Sequence, residues 1–211
     1  MYGTSEKSVS RKPARSTGRP RSLITKSGTC KTEEKKMSEA LKRKIRDIPD
    51  FPQKGIIFRD ITTLLKDRGA FREVTTLLFD RYRDRPIDLV CGIEARGFIF
   101  SGALADKLHC GLVPVRKAGK LPAETIREEY VLEYGTAQLE VHKDAISPGK
   151  NVLIVDDLLA TGGTLAATCR LIERLGGKVF GIAVIIELAF LNGRDKLAEY
   201  DVHSLVRYES G

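Results

Sequence analysis

The chain has 211 residues, with 36 Lys and Arg against 28 Asp and Glu, a formal net charge of +8. The excess is local: residues 1–36 hold ten of the bases and three of the acids, and the rest carries 26 and 25. A near-neutral body of that length suits one domain with a substantial core, implies no nucleic-acid partner, and carries no span for a membrane, since its longest apolar run, Val179–Leu191, is short and contains Glu187.

Residues 1–32 are rich in Ser, Thr, Arg and Lys and have Leu23-Ile24 as their one adjacent pair of large apolar residues, so they are expected to stay disordered. Three explanations compete for this extension. It can be an organellar transit segment, although Pro13, Gly18, Pro20 and Gly28 interrupt any amphipathic helix. It can be a nucleic-acid-binding arm. The favoured reading is that translation begins at Met37, giving an extension over 1–36 and a single domain over 37–211. No apolar stretch near the N-terminus marks a secretion signal. Cys30, Cys91, Cys110 and Cys169 show no paired spacing and, with three scattered histidines, make no metal-site pattern. They fit reduced thiols and a cytoplasmic location.

From there the elements follow in order. Ser38 is expected to cap a helix through Ile45 that stops before Pro49. Ile56–Phe58 is extended, and Gly69–Arg83 is helical with Phe71, Val74, Leu77 and Leu78 on one stripe. Ile87–Ile93 reads as a buried strand, Gly97–Leu108 as a helix and Leu112–Arg116 as the next strand. Residues 118–135 form a long polar loop, and such loops inside compact domains are usually lids. Ala137–Val141 alternates as a half-exposed strand. Asn151–Val155, a helix over Thr164–Leu175, Val179–Ile186, a short helix near Arg194–Ala198 and Val202–Val206 complete the chain. Helices alternating with continuous Val/Ile/Leu runs predict an α/β fold, a mostly parallel sheet flanked by helices.

The chemistry concentrates at one junction. Val152-Leu-Ile-Val-Asp156-Asp157-Leu-Leu-Ala160-Thr161-Gly162-Gly163-Thr164 is an apolar strand ending in two acids, then a hydroxylated glycine turn that opens a helix. Glycines let N–H groups close on an anion, the helix N-terminus adds partial positive charge, and both threonines can donate to phosphate oxygens. Two carboxylates suit sugar hydroxyls or a metal-bound water. A ribose 5-phosphate satisfies all of them. The lysine of a Walker loop and the G-x-G-x-x-G of a dinucleotide fold are both absent.

This segment resembles the 5-phosphoribosyl-1-pyrophosphate (PRPP) motif of type I phosphoribosyltransferases. Asp50-Phe-Pro-Gln-Lys-Gly-Ile-Ile-Phe58-Arg59-Asp60 and Arg116-Lys117-Ala-Gly-Lys120-Leu-Pro, with Glu133-Tyr134-Gly135 downstream, are similar to segments of the adenine phosphoribosyltransferase family. The resemblance runs from about Leu41 to Tyr208. It implies that fold with a flexible hood loop over 118–135, a homodimer, and Mg²⁺ carried by PRPP and water, with no metal ligand from the protein itself. It further implies adenine at Ile57, Phe58 and Arg59, and a purine proton handled by Glu133. Phe58 read alone is as well explained by packing. Arg96-Gly97 at a strand-to-helix turn is by itself a common structural feature, but PRPP needs a second anion site, and Arg96 supplies one. Lys117 and Lys120 are positioned to meet departing pyrophosphate. PRPP is thus expected at Arg96, Lys117, Lys120, Asp156, Asp157, Ala160, Thr161, Gly162, Gly163 and Thr164, with Asp156 and Asp157 also catalytic. Ala118 departs from the family pattern without removing a reactive group. Other readings are a transferase for a different purine, or a PRPP-binding transcription regulator. The regulator needs a DNA-binding domain, for which the extension is too short and irregular.

Overall fold

The computed structural model describes residues 27–131 and 135–211. Helix α1 (Ser27–Lys42) begins well before Ser38, which lies inside it rather than at its cap, and it ends before Ile45. No Gly or Pro interrupts the chain between Gly28 and Pro49, so nothing local forces a start at Ser38. Strands β1 (Arg46–Pro49) and β2 (Ile57–Asp60) then pair as a separate antiparallel ribbon. After α2 (Thr62–Lys66) comes α3 (Arg68–Tyr82), capped by the Asp67 carboxylate, which accepts from the N–H groups of Gly69 and Ala70.

The body alternates strands and helices: β3 (Leu89–Ile93), α4 (Gly97–Leu108) and β4 (Gly111–Lys117). Two antiparallel strands follow, β5 (Thr125–Val131) and β6 (Thr136–His142), paired from Thr125↔His142 to Val131↔Thr136. Next come β7 (Asn151–Leu159), α5 (Gly163–Arg174), β8 (Lys178–Leu188) and β9 (Val202–Tyr208), with short 3-10 turns at Ala189–Leu191 and Gly193–Leu197. The seven-stranded sheet has the order β5-β6-β4-β3-β7-β8-β9, parallel from β4 to β9. This is the mixed α/β, mostly parallel architecture that the alternation predicts.

The core lies on both faces of the sheet. Along β7, Val152 and Ile154 pack with Leu165, Leu171 and Ile172 of α5, while Leu153 and Val155 pack with Val74, Phe100 and Leu104 of α3 and α4. Burial on both sides explains the unbroken apolar run.

Besides the expected disorder of residues 1–32, of which 27–32 belong to α1, two further expectations are corrected. Much of the expected 118–135 loop is strand β5, whose inward alternation is broken by Glu128. That carboxylate faces Arg170 at 2.6 Å and Arg174 at 2.9 Å on α5, so an ion pair stands where the pattern calls for an apolar residue. Strand β7 also does not stop at Val155 but continues to Leu159, paired with β8 through Leu159↔Glu187. Both acids therefore sit within the strand.

Candidate active site

From β3 the chain runs through α4 to β4 on one side, while β7 lies on the other side of β3. The sheet order reverses there, and ligands in such sheets bind beyond the carboxyl ends of the strands at that point. A cavity of about 680 Å³ opens there, lined by Glu94–Arg96 after β3, Lys117 at the end of β4, and Asp156–Leu165. Tyr130 and Leu139 of the β5–β6 hairpin close one wall.

Asp156 and Asp157 are both buried. The Asp157 N–H donates to Asp156 Oδ1 at 2.9 Å, and Arg96 Nε meets Asp157 Oδ2 at 2.6 Å. Burial, then the neighbouring Asp157 charge, push the Asp156 carboxyl well above its ordinary range. Burial also raises Asp157, with Arg96 pulling the other way. Two acids thus share one guanidinium, leaving a spot that favours hydroxyl donors or a cation. Gly97 is required at this junction, because a Cβ there would stand 2.6 Å from Asp156 Oδ1 and 3.1 Å from the Val155 carbonyl.

Both helices that start at the cavity lack a side-chain cap. α4 begins after Arg96 and α5 after Gly162, whose φ of 78° needs the left-handed freedom of glycine. By contrast α3, which starts away from the cavity, has Asp67. At α4 the Phe98 and Ile99 N–H groups already donate to the Ala95 and Arg96 carbonyls, whereas the first turn of α5, Gly163–Leu165, lines the cavity and offers its N–H groups as donors to an anion. The turn Ala160–Gly162 rests directly on another piece of main chain: a Cβ on Gly162 would lie 2.3 Å from the Gly193 carbonyl oxygen.

The cation segment is braced from below. Arg116 donates to Glu94 through Nε and Nη2 at 3.1 Å each, and the Lys117 N–H donates to Glu94 Oε2 at 3.2 Å. Lys120 is not brought to the cavity wall. Its N–H donates to Glu140 Oε1 at 2.8 Å and its carbonyl accepts from Arg116.

Of the residues assigned to adenine, Phe58 lies beside the site, with the Arg96 guanidinium 5.4 Å from its ring centroid. The Arg59 side chain points elsewhere: it pairs with Asp47 at 2.6 Å and stacks on Tyr208 at 4.1 Å, fastening the ribbon to β9. Ile57 borders a second, mostly apolar cavity of about 530 Å³ with Leu188, Phe190 and Leu191. Ala160 lines both cavities. Nothing in local sequence pattern marks Leu188, Phe190, Gly193 or Glu140 for a role, because each acts through a partner distant in the chain. Glu133 lies outside the described residues.

Fold and site together define a phosphoribosyltransferase, and residues 60–206 match the family profile for the Phosphoribosyl transferase domain. Adenine phosphoribosyltransferase of Thermotoga neapolitana is 60% identical over 168 residues, covering 80% of this chain and 99% of the relative. The crystal structure of adenine phosphoribosyltransferase from Thermoanaerobacter pseudethanolicus superposes with a TM-score of 0.79 at 54% identity, covering 81% of this chain and 99% of that one. The Saccharomyces cerevisiae adenine phosphoribosyltransferase, solved with adenine and an imino-altritol bisphosphate, gives a TM-score of 0.76 at 39% identity over 82% and 99% of the two chains. The chain belongs to the adenine phosphoribosyltransferase family, enzymes of the pentosyltransferase class.

Proposed function

We propose that this chain transfers the 5-phosphoribosyl group of PRPP to N9 of adenine, releasing AMP and pyrophosphate. The observation that carries the reading is the meeting of two unlike cavities at Ala160, one charged and edged by the uncapped start of α5, the other apolar and edged by Ile57. The 5-phosphate takes the Ala160, Thr161, Gly162, Gly163 and Thr164 turn. The ribose hydroxyls take Asp156 and Asp157, and the pyrophosphate takes Arg96 and Lys117. As the bond to pyrophosphate lengthens, positive charge grows on the sugar above the two carboxylates. The hairpin wall at Tyr130 and Leu139 excludes water that would otherwise capture that centre.

Adenine lies against Ile57, Phe58 and Arg59. Residues 57 and 59 direct their main-chain groups to the same side of β2, which pairs with β1 alone among the described strands. A C=O and N–H there complement the donor amine and acceptor N1 of adenine, whereas a 6-oxopurine sets acceptor against acceptor. Glu133 is the proton carrier for the purine by family resemblance.

The residues present fit a magnesium ion brought in with PRPP: Asp156 and Asp157, with one guanidinium between them, can hold its water shell. Bound there, Mg²⁺ supplies neutralisation of the pyrophosphate charge. The reading includes a homodimer. Ile99 and Leu112 are exposed apolar side chains on one flank, Leu112 packing beside Gly102 a helical turn from Ile99. It also includes a cytoplasmic location, supported by free thiols at Cys91, Cys110 and Cys169.

The test is product formation from PRPP and Mg²⁺ with adenine, hypoxanthine and guanine supplied separately. AMP from adenine alone is expected. Equal use of the oxopurines would refute the reading of Ile57–Arg59, and PRPP binding without any product would favour a regulator. Deleting residues 1–36 cuts α1 but keeps its last residues, Met37–Lys42, with the buried Leu41, so kcat and KM should stay within about twofold. Loss of activity on deletion would place part of the extension in the working enzyme.

A further inference from the structure

Beneath the phosphate loop lies an ion pair, its carboxylate buried and its arginine partly exposed, that the reaction does not use. Glu187, near the end of β8, is 2% exposed. Arg194 grips it with two parallel bonds, Nε to Oε1 and Nη2 to Oε2, each 2.7 Å. The remaining nitrogen, Nη1, donates to the Val202 carbonyl of β9 at 2.9 Å, and Ser204 Oγ donates to Glu187 Oε2 at 2.6 Å. Burial works against the Glu187 charge, but Arg194 and Ser204 outweigh it and hold the carboxyl below its usual range.

A pair with one buried partner is weak support for stability, since desolvating the carboxylate offsets much of the attraction. What a bidentate fork adds is a fixed direction. The residue whose position it fixes is Gly193, immediately before Arg194. A Cβ on Gly193 would stand 2.1 Å from the Ala160 carbonyl oxygen and 3.0 Å from the Gly162 nitrogen. Main chain therefore rests on main chain, and the loop has no side-chain cap of its own to set its height.

We propose that Glu187 and Arg194 are positioning residues for phosphate binding: their bidentate fork holds Gly193, and Gly193 holds the Ala160–Thr164 loop at the height that receives a 5-phosphate. The inference rests on reading that loop as the 5-phosphate cradle.

The test uses ribose 5-phosphate as probe, its Kd measured by calorimetry on the full chain, beside KM for adenine and the melting temperature. Glu187→Gln and Arg194→Lys should weaken ribose 5-phosphate by about tenfold to a hundredfold and leave KM for adenine within about twofold. Gly193→Ala should do the same, and combining it with E187Q should add little, because both act on one contact. Should E187Q not fold, Ser204→Ala removes one bond from the carboxylate, and a rise of about two- to fivefold is expected. Unchanged ribose 5-phosphate affinity in E187Q or, failing that, in S204A would overturn the proposal. Equal weakening of both ligands with a lowered melting temperature would do so too, showing a general structural role. Ribose 5-phosphate that does not compete with PRPP on the wild-type protein would instead overturn the phosphate reading of the loop, and the inference with it.

Discussion

Replacing Asp157 by Asn lowers kcat/KM for PRPP by about a hundredfold to a thousandfold and leaves the melting temperature of the free protein unchanged or higher; Asp156→Asn does the same. The two halves of the result share one cause. Both carboxyls have pKa values raised by burial, so the folded state holds protons that the unfolded chain releases. Stability therefore falls as pH rises from the ordinary carboxylate range through the raised pKa values, and near neutrality the acids are a cost to the fold. Asparagine removes that cost while keeping an oxygen at Asp156 Oδ1 for the Asp157 N–H, and in Asp157→Asn the freed Arg96 is partly solvated. Activity is lost because the negative charge facing the ribose centre is a transition-state interaction of the kind worth about 2.7–4 kcal/mol. The same shift sets the pH profile: the acid limb of kcat/KM for PRPP should lie above the usual carboxylate range. Wild-type turnover in both variants would remove the pair from the site, and a melting temperature lowered by several degrees would show that the acids serve the fold.

The largest effect on stability is expected from Glu140→Ala, roughly 2–4 kcal/mol, from about one to two for each of two part-buried N–H groups left without an acceptor. Glu140 is fully buried on β6. It accepts from the N–H groups of Lys120 and Leu121 at 2.8 Å each, from Thr125 at 3.3 Å and from Arg127 Nε at 3.1 Å. Arg127 is half exposed, so water takes over its charge in the variant. For a domain of this size the melting temperature should drop by about 5–15 °C, and kcat should fall as well, because the Lys117–Leu121 segment loses its anchor. Burial opposes the Glu140 charge, but the N–H groups of Leu121, Gly119 and Lys120, with Arg127, lower its pKa to about 2. This folded value lies below that of the unfolded chain, about 4.3, so its contribution is present above that range and lost as pH falls towards 2. The gap in stability between wild type and E140A should therefore narrow from about pH 4 downward. Asp60, also held at about 2 by the Thr62 N–H and Arg46, adds to the same acid sensitivity in both proteins. A gap that stays constant down to pH 2 would show that the lost stability is packing and not charge.

The sequence by itself determined what is contiguous. The strand, the two acids, the glycine turn and the helix from Gly163 follow one another without interruption, so their joint chemistry can be read in chain order. Alternation of buried strands with amphipathic helices determined the layered sheet for a similar reason: periodicity is a property of neighbours along the chain. Tertiary structure decided what depends on pairs far apart. Strand β5 escaped its pattern because Glu128 pairs with arginines on α5, and Glu140, on the polar face of β6 with Gln138 and His142, is buried because N–H groups from another loop surround it. The second cavity draws Ile57, Ala160 and Leu188 from three separate segments, and Gly193 reaches the Ala160–Gly162 turn only because β8 returns the chain to it. Contact between such residues depends on sheet order and register, which arise from the packing of all the strands together, and no local run of residues carries that information.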